Sequence, residues 1–315
     1  MYSKDETLNV VRALKRYHMI ANKPNKQNDI FLKDGFLCLM VNGQTIQRLK
    51  IDPNDMKQQL EKVEYVKNTF NSSDVKYSPF EADRESAKSY WKQNYNHIDF
   101  PKFISVVLFS MLITKKVPDV IDCCNIYLTT YTEIVPDGQA IDRIKYMTNV
   151  SKDRLNVGNM VLYTDGRKMK NHVRRFKKEY LQYVKGLPFN EFTTEHSCNR
   201  IYKVYGSAVR DIYTVLRLND FGINTYYSLY DDLGGIDGII ENIPYYGYTK
   251  TGAGNDFRNK KLSERHPELD ANLGIALRKS VSGNGGVYIV PDKILEKVAT
   301  AVQNNAVKSM MIIDC

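Results

Sequence analysis

The most constraining feature of the chain is a pair of two-residue turn signals spaced inside one apolar stretch near its start. Ile30-Phe31-Leu32 is followed by Lys33-Asp34-Gly35, then Phe36 to Val41, then Asn42-Gly43, then Gln44 to Ile51. Asp-Gly and Asn-Gly supply the positive φ angles that tight hairpin turns require, and runs of this length between them suit strands. The spacing predicts a three-stranded meander.

Helical periodicity surrounds it. Leu8, Val11 and Leu14 recur at helical spacing between Thr7 and Ile20, with acids before them and Arg12, Lys15 and Arg16 later, as the helix dipole prefers. Asp52-Pro53 opens a second helix through Phe70, striped by Met56, Leu60, Val63 and Phe70. Another starts at Ser78-Pro79 and ends near Asn96, and Pro118 opens one more. Between Pro101 and Lys115 apolar residues occupy the whole circumference, which places that segment at the centre of a helical layer. Its apolar core, Phe103 to Thr114, is shorter than the ~20 residues of a bilayer span.

With 315 residues, 43% hydrophobic and 26% charged, the chain has the composition of a folded protein. The expected class is mixed α+β in two parts. Residues 1–150 would hold the first helix, the meander and a helical cluster. Residues 151–315 would form a second α+β half, ending in a β-hairpin and a helix. That hairpin is read from Ile275 to Val281 and Gly286 to Val290 around Ser282-Gly283-Asn284-Gly285, and the final helix starts at Pro291-Asp292. Met1 to Thr7 has no apolar run, so a secretory leader is not expected and the protein is placed in the cytoplasm or a virion. Five cysteines without C-x-x-C spacing argue for reduced, packed thiols rather than a disulfide framework or a zinc ribbon.

The formal charge of +9 is concentrated between Arg167 and Lys178. Arg167, Lys168, Lys170, Arg174, Arg175, Lys177 and Lys178 fall on one helical face with no acid among them, while Met169, Val173, Phe176 and Tyr180 fall on the other. Such a stripe suits phosphates, and a solvated surface face is the plain alternative. From Asn219 to Lys261 the chain is rich in glycine and tyrosine, and reads as a long loop with a binding surface at Tyr245, Tyr246 and Tyr248, or as an ordered scaffold with packed rings. Thr249 to Asn255 is a short glycine turn in which Lys250, Gly252 and Gly254 could wrap a phosphate, although no strand and helix clearly frame it. Asp231, Asp232, Asp237 and Glu241 form an acidic stretch with the residue types of a divalent-cation site, but turn chemistry explains it equally. Glu195, His196 and Cys198 lack the second half of a zinc pattern. No metal and no cofactor is therefore expected, and no catalytic residue is assigned.

Gly166-Arg167-Lys168, Asn171-His172 and Arg175-Phe176, with Leu273-Gly274-Ile275 and Leu277-Arg278-Lys279, resemble pieces of the bacterial tandem acetyltransferase-fold proteins related to lysyl-phosphatidylglycerol synthases. The spacing in the first piece is shorter than in that family, and the acceptor and cofactor segments have no counterpart. The resemblance implies an acetyltransferase-fold (GNAT-like) acyl or aminoacyl transferase, with the basic helix on phosphate or tRNA and the Gly252–Gly254 turn on a pyrophosphate. The residues themselves point first to a non-catalytic binding or assembly protein. Its expected partners are nucleic acid and, by self-assembly, other subunits of a virion or complex, as in a viral or phage structural or nucleocapsid-type protein.

Overall fold

The structure is a computed structural model that describes residues 2–72, 100–131, 191–247, 253–278 and 289–315. The helix expected from Ser78, the basic stretch Arg167–Lys178 and the turn of the C-terminal hairpin lie outside these residues. The chain divides into two compact units, Met1–Arg16 with Lys62–Ile113 and Pro118–Tyr205, and Tyr17–Glu61 with Thr114–Val117 and Gly206–Cys315. The division crosses the sequence several times.

The first unit is helical where described. Helix α1 (Lys4–Arg16) starts with a capping box, Ser3 Oγ accepting from Glu6 N at 3.1 Å while Ser3 N donates to Glu6 Oε2 at 2.8 Å. It buries Val10, Val11 and Leu14. The expected single helix to Ile20 breaks at Tyr17, and a short α2 (His18–Asn22) follows in the second unit. Helix α3 (Pro53–Ser72) belongs to the second unit as far as Glu61 and to the first from Lys62; of its expected stripe Met56, Leu60 and Val63 are buried and the Phe70 side chain lies outside the described residues, and Asp52 Oδ1 accepts from Asn54 N at 2.8 Å. In α4 (Phe100–Thr114) the run from Val106 to Leu112 is buried on every side, as an all-round apolar helix requires. Helix α5 (Val120–Tyr131) packs on α1 and buries Cys123 and Cys124 as free thiols. Its Asp122 accepts from Tyr2 N at 2.9 Å and is pushed up to about 7 by burial.

The second unit is built on one eight-stranded sheet in the order β3-β2-β1-β4-β5-β6-β7-β8. Its strands are β1 (Asp29–Lys33), β2 (Phe36–Val41), β3 (Gln44–Lys50), β4 (Thr225–Ser228), β5 (Gly238–Ile240), β6 (Ile243–Tyr246), β7 (Gly274–Arg278) and β8 (Met310–Asp314). The meander forms as the turn dipeptides dictate, with φ of 52° and 74° at Asp34-Gly35 and 51° and 75° at Asn42-Gly43. It is not a separate sheet, because β1 pairs antiparallel with β4 and so joins residues some two hundred positions apart.

Pairing is antiparallel from β3 to β6 and parallel from β6 through β7 to β8. The connections across the parallel part are α8 (Ala253–Arg265) and α9 (Asp292–Gln303). At Gly274–Arg278 both flanks of β7 are taken by parallel neighbours, β6 and β8. Parallel strands need cover on both faces. On one face α9 and the end of α6 (Glu191–Asp220) bury Leu218, Leu295, Val298 and Val302 against Ile240, Tyr245, Ile275 and Leu277. On the other, Leu262 of α8 packs with Ile236 and Tyr246. Among the described residues no helix is long and apolar enough to cross a membrane.

The stretch after Asn219 is therefore not one long loop. It forms β4, the short helix α7 (Leu229–Asp232), β5 and β6, with Glu241-Asn242 at φ 47° and 70° turning the last hairpin. A two-residue turn with both φ positive is the chemistry of Asn-Gly, here carried by Glu-Asn, so the turn has no glycine to announce it.

Candidate functional site

A cavity of about 450 Å³ opens in the second unit where β1 and β4 meet α7 and the chain after α8. Its wall includes Lys26, Asp29 and Lys33 from the meander, Tyr226 and Ser228 from β4, Tyr230 and Asp231 from α7, and His266, Glu268 and Leu269. The β1–β4 register sets Phe31 opposite Ser228 and Lys33 opposite Tyr226. The Tyr226 ring, which lines the cavity, stacks on Phe31 at 5.9 Å and 25°. The Tyr230 ring lies under the Arg265 guanidinium at 4.3 Å, and Arg265 Nη1 also donates to the Tyr230 carbonyl. Gly234 is needed there, since a Cβ would collide with that guanidinium.

The acids of the cavity are engaged by the fold. Asp29, 3% exposed, accepts from Tyr230 N at 3.1 Å and Ile30 N at 2.8 Å, yet burial pushes its carboxyl up to about 7. His266 is held between Asp231 Oδ1 at Nε2 and Glu268 Oε1 at Nδ1, each at 2.8 Å. A carboxylate at each ring nitrogen favours the protonated imidazole, and the His266 pKa is raised above its ordinary value, chiefly by its bond to Asp231. Glu241 Oε1 accepts from Asn224 N at 2.8 Å. Ser228 Oγ caps α7 by accepting from Asp231 N at 3.0 Å. Both ring nitrogens of His266 are taken and neither serves Ser228 as a base, and among the described residues lining the cavity the exposed cationic groups are Lys26 and Lys33.

A second cluster lies behind α7. Asp231 turns to the cavity, while its neighbour Asp232 accepts from Tyr227 Oη at 2.7 Å and lies close to Asp237 and to Asp211 of α6. Arg210 Nε donates to Asp211 Oδ1 at 2.6 Å, and its Nη2 lies 3.6 Å from Asp237 Oδ2. Burial pushes Asp232 up to about 7 with help from Asp237, and burial raises Asp211 against the pull of Arg210. Asp237 Oδ2 also accepts from Gly247 N, where a Cβ would strike the Arg210 guanidinium.

The sequence-based candidates fare unevenly. Tyr245 and Tyr246 are both fully buried, which corrects their assignment to a base-stacking surface. Successive strand residues face opposite sides, and at β6 both sides are covered by helices. The packed-ring alternative describes them. Gly254 lies in the first turn of α8. Tyr248, Lys250 and Gly252, with Arg167, Lys168, Lys170, Arg174, Arg175, Lys177 and Lys178, are outside the described residues, as are the side chains of Glu195, His196 and Cys198. The acidic stretch is split, with Asp231 and Glu241 at the cavity and Asp232 and Asp237 in the second cluster.

Lys26, Asp29, Lys33 and His266 carried no signal in sequence, because only the β1–β4 pairing and the turn after α8 bring them together. Asp211 was equally silent, being an acid in a long helix. Compared with protein-family models, with curated proteins and with solved structures, the chain gives no significant match.

Proposed function

We propose that the protein is a non-catalytic, basic binding protein whose cavity receives one nucleotide unit of a nucleic acid, inside a cell or a virion. The observation that carries this reading is the wall itself, in which Lys26 and Lys33 stand at the rim, Tyr226 offers a ring already backed by Phe31, and the histidine is locked between carboxylates. Lysines at a rim attract phosphate, and a ring with one covered face is a stacking platform. A doubly bonded His266 and a capping Ser228 favour holding over turnover. The charge of +9 and the basic stretch from Arg167 to Lys178 support a polyanionic partner.

The test is fluorescence anisotropy with a labelled single-stranded oligonucleotide at low salt. Lys26→Glu with Lys33→Glu should weaken binding at least tenfold and Tyr226→Ala should weaken it by ~1 to 3 kcal/mol. Unchanged binding in both would remove the cavity from the reading.

A second reading, an acetyltransferase-like transferase, is favoured by one observation. Strands β6 and β7 are parallel neighbours joined through α8, and in sequence Gly252 and Gly254 flank Ala253, the first residue of that helix. A strand, a glycine-bearing connection, a helix and a parallel strand is an arrangement that suits a pyrophosphate. Calorimetry with coenzyme A separates the two, since saturable binding lost in Gly252→Val would support the transferase and its absence the binding protein.

A further inference from the structure

The eight-stranded sheet has β3 and β8 at its outer edges, and the two are built differently. The β3 edge is guarded. Gln44, Gln47, Arg48 and Lys50 make it polar, and its pairing with β2 jumps from Leu39–Gln47 to Met40–Thr45, so the exposed Ile46 is the extra residue of a bulge. Charged side chains and bulges are what keep an edge from pairing with a neighbour. Met310 to Ile313 of β8 has neither. It is an unbroken apolar run in regular parallel register with β7, and Ile312 is 44% exposed.

Cys315 N donates to Arg278 O at 2.9 Å, and alternate strand residues turn to alternate sides, so Met311 and Ile313 also direct their backbone groups to β7. Met310, Ile312 and Asp314 direct their N–H and C=O groups outward, where among the described residues no strand meets them. The stretch Lys308-Ser309-Met310-Met311-Ile312-Ile313-Asp314 is also complementary to itself when reversed about Met311. Laid antiparallel on a second copy, Met310 falls opposite Ile312 and the exposed Lys308 opposite Asp314, each pair occurring twice. In the same register the outward-facing residues stand opposite one another, as hydrogen-bonded pairs require. Asp314 accepts from Arg278 Nε at 2.5 Å on its β7 side, and a carboxylate has lone pairs for a second donor.

We propose that β8 is the contact between two copies of this chain, paired antiparallel about a two-fold axis at Met311, so that the two sheets run on as one. A second copy is the occupant because the edge itself supplies both members of every pair, apolar against apolar and lysine against aspartate. Such an isologous contact closes on itself and leaves the bulged, basic β3 at the two ends of the joined sheet. The pairing depends neither on the cavity nor on nucleic acid.

The experiment uses the full chain, nuclease-treated, in sedimentation velocity over a range of concentrations. A monomer–dimer equilibrium is expected, and Ile312→Lys, which puts a charge on the edge, should raise the dimer dissociation constant at least tenfold with unchanged circular dichroism. Cross-linking reads the register. In a Cys315→Ser background, Met311→Cys should form an intermolecular disulfide under mild oxidation, since a non-hydrogen-bonded antiparallel pair sets its Cα atoms ~4.5 Å apart, within disulfide reach. Ser309→Cys, which falls opposite Ile313, should not. A wild-type chain that stays monomeric overturns the proposal, as does a dimer that a folded Ile312→Lys leaves intact, or one that Ser309→Cys cross-links and Met311→Cys does not. If Ile312→Lys does not fold, the Met311→Cys disulfide decides, and its absence overturns the proposal.

Discussion

Asp29 and His266 illustrate how burial decides what one residue does. An Asp29 carboxyl raised from 3.8 to about 7 keeps in the folded protein a proton that the unfolded chain releases above pH 4. Stability from this group therefore falls as pH rises from about 4 to 7, by on the order of a few kcal/mol, and is flat beyond. His266 is also raised, so its contribution is complete below pH 6.5 and is lost as pH climbs through its folded value. The two have the same sign, and the melting temperature should drop from mildly acidic to alkaline pH. Asp29→Asn keeps the oxygen that accepts from Tyr230 N and should flatten the acidic part of that profile, whereas His266→Gln should flatten the part above pH 6.5. A profile rising through pH 5 to 7 in the wild type, and unaltered in Asp29→Asn, would contradict this account. Gly247 makes a simpler case. Gly247→Ala should cost roughly 1 to 3 kcal/mol by overpacking against Arg210, measurable by urea denaturation.

At the level of elements, what could be read in sequence was what local chemistry fixes. Asp34-Gly35 and Asn42-Gly43 need positive φ and so announced the meander, and the all-round apolar run of α4 announced a central helix. What could not be read was set by partners distant in the chain. Whether Tyr245 and Tyr246 are exposed depends on which strand lies beside β6 and what covers it, and the answer, a parallel β7 with helices on both faces, is non-local. The cavity was hidden for the same reason, since Asp29 meets Tyr230 only through the β1–β4 pairing. This gives the tyrosines a test opposite to that of a stacking surface. Tyr245→Ala or Tyr246→Ala should each lower stability by about 3 to 5 kcal/mol, as for other large buried rings, and destroy or broaden the thermal transition. A variant that melts like the wild type but loses a partner would restore these rings to a binding role.

For the whole molecule, charge and topology pull in the same direction. The excess of 45 basic over 36 acidic residues is a long-range property, sensed by any polyanion before contact, and the densest part of it runs from Arg167 to Lys178 without an acid. The cavity adds only two rim lysines, so it can orient a nucleotide but not by itself account for strong attachment. The two features should therefore fail differently. If nucleic acid binds through both, affinity falls steeply from ~50 to 200 mM salt because each neutralised phosphate releases counterions. Reversing Arg174, Arg175, Lys177 and Lys178 to glutamate should weaken binding to all sequences and lower the salt slope by roughly one for each phosphate no longer neutralised. Tyr226→Ala should weaken binding while leaving that slope unchanged, since stacking releases no counterions. Anisotropy titrations at several salt concentrations separate these outcomes. A salt-independent affinity in the wild type, or a slope that the four reversals leave intact, would show that the basic stretch faces solvent with no polyanion to meet.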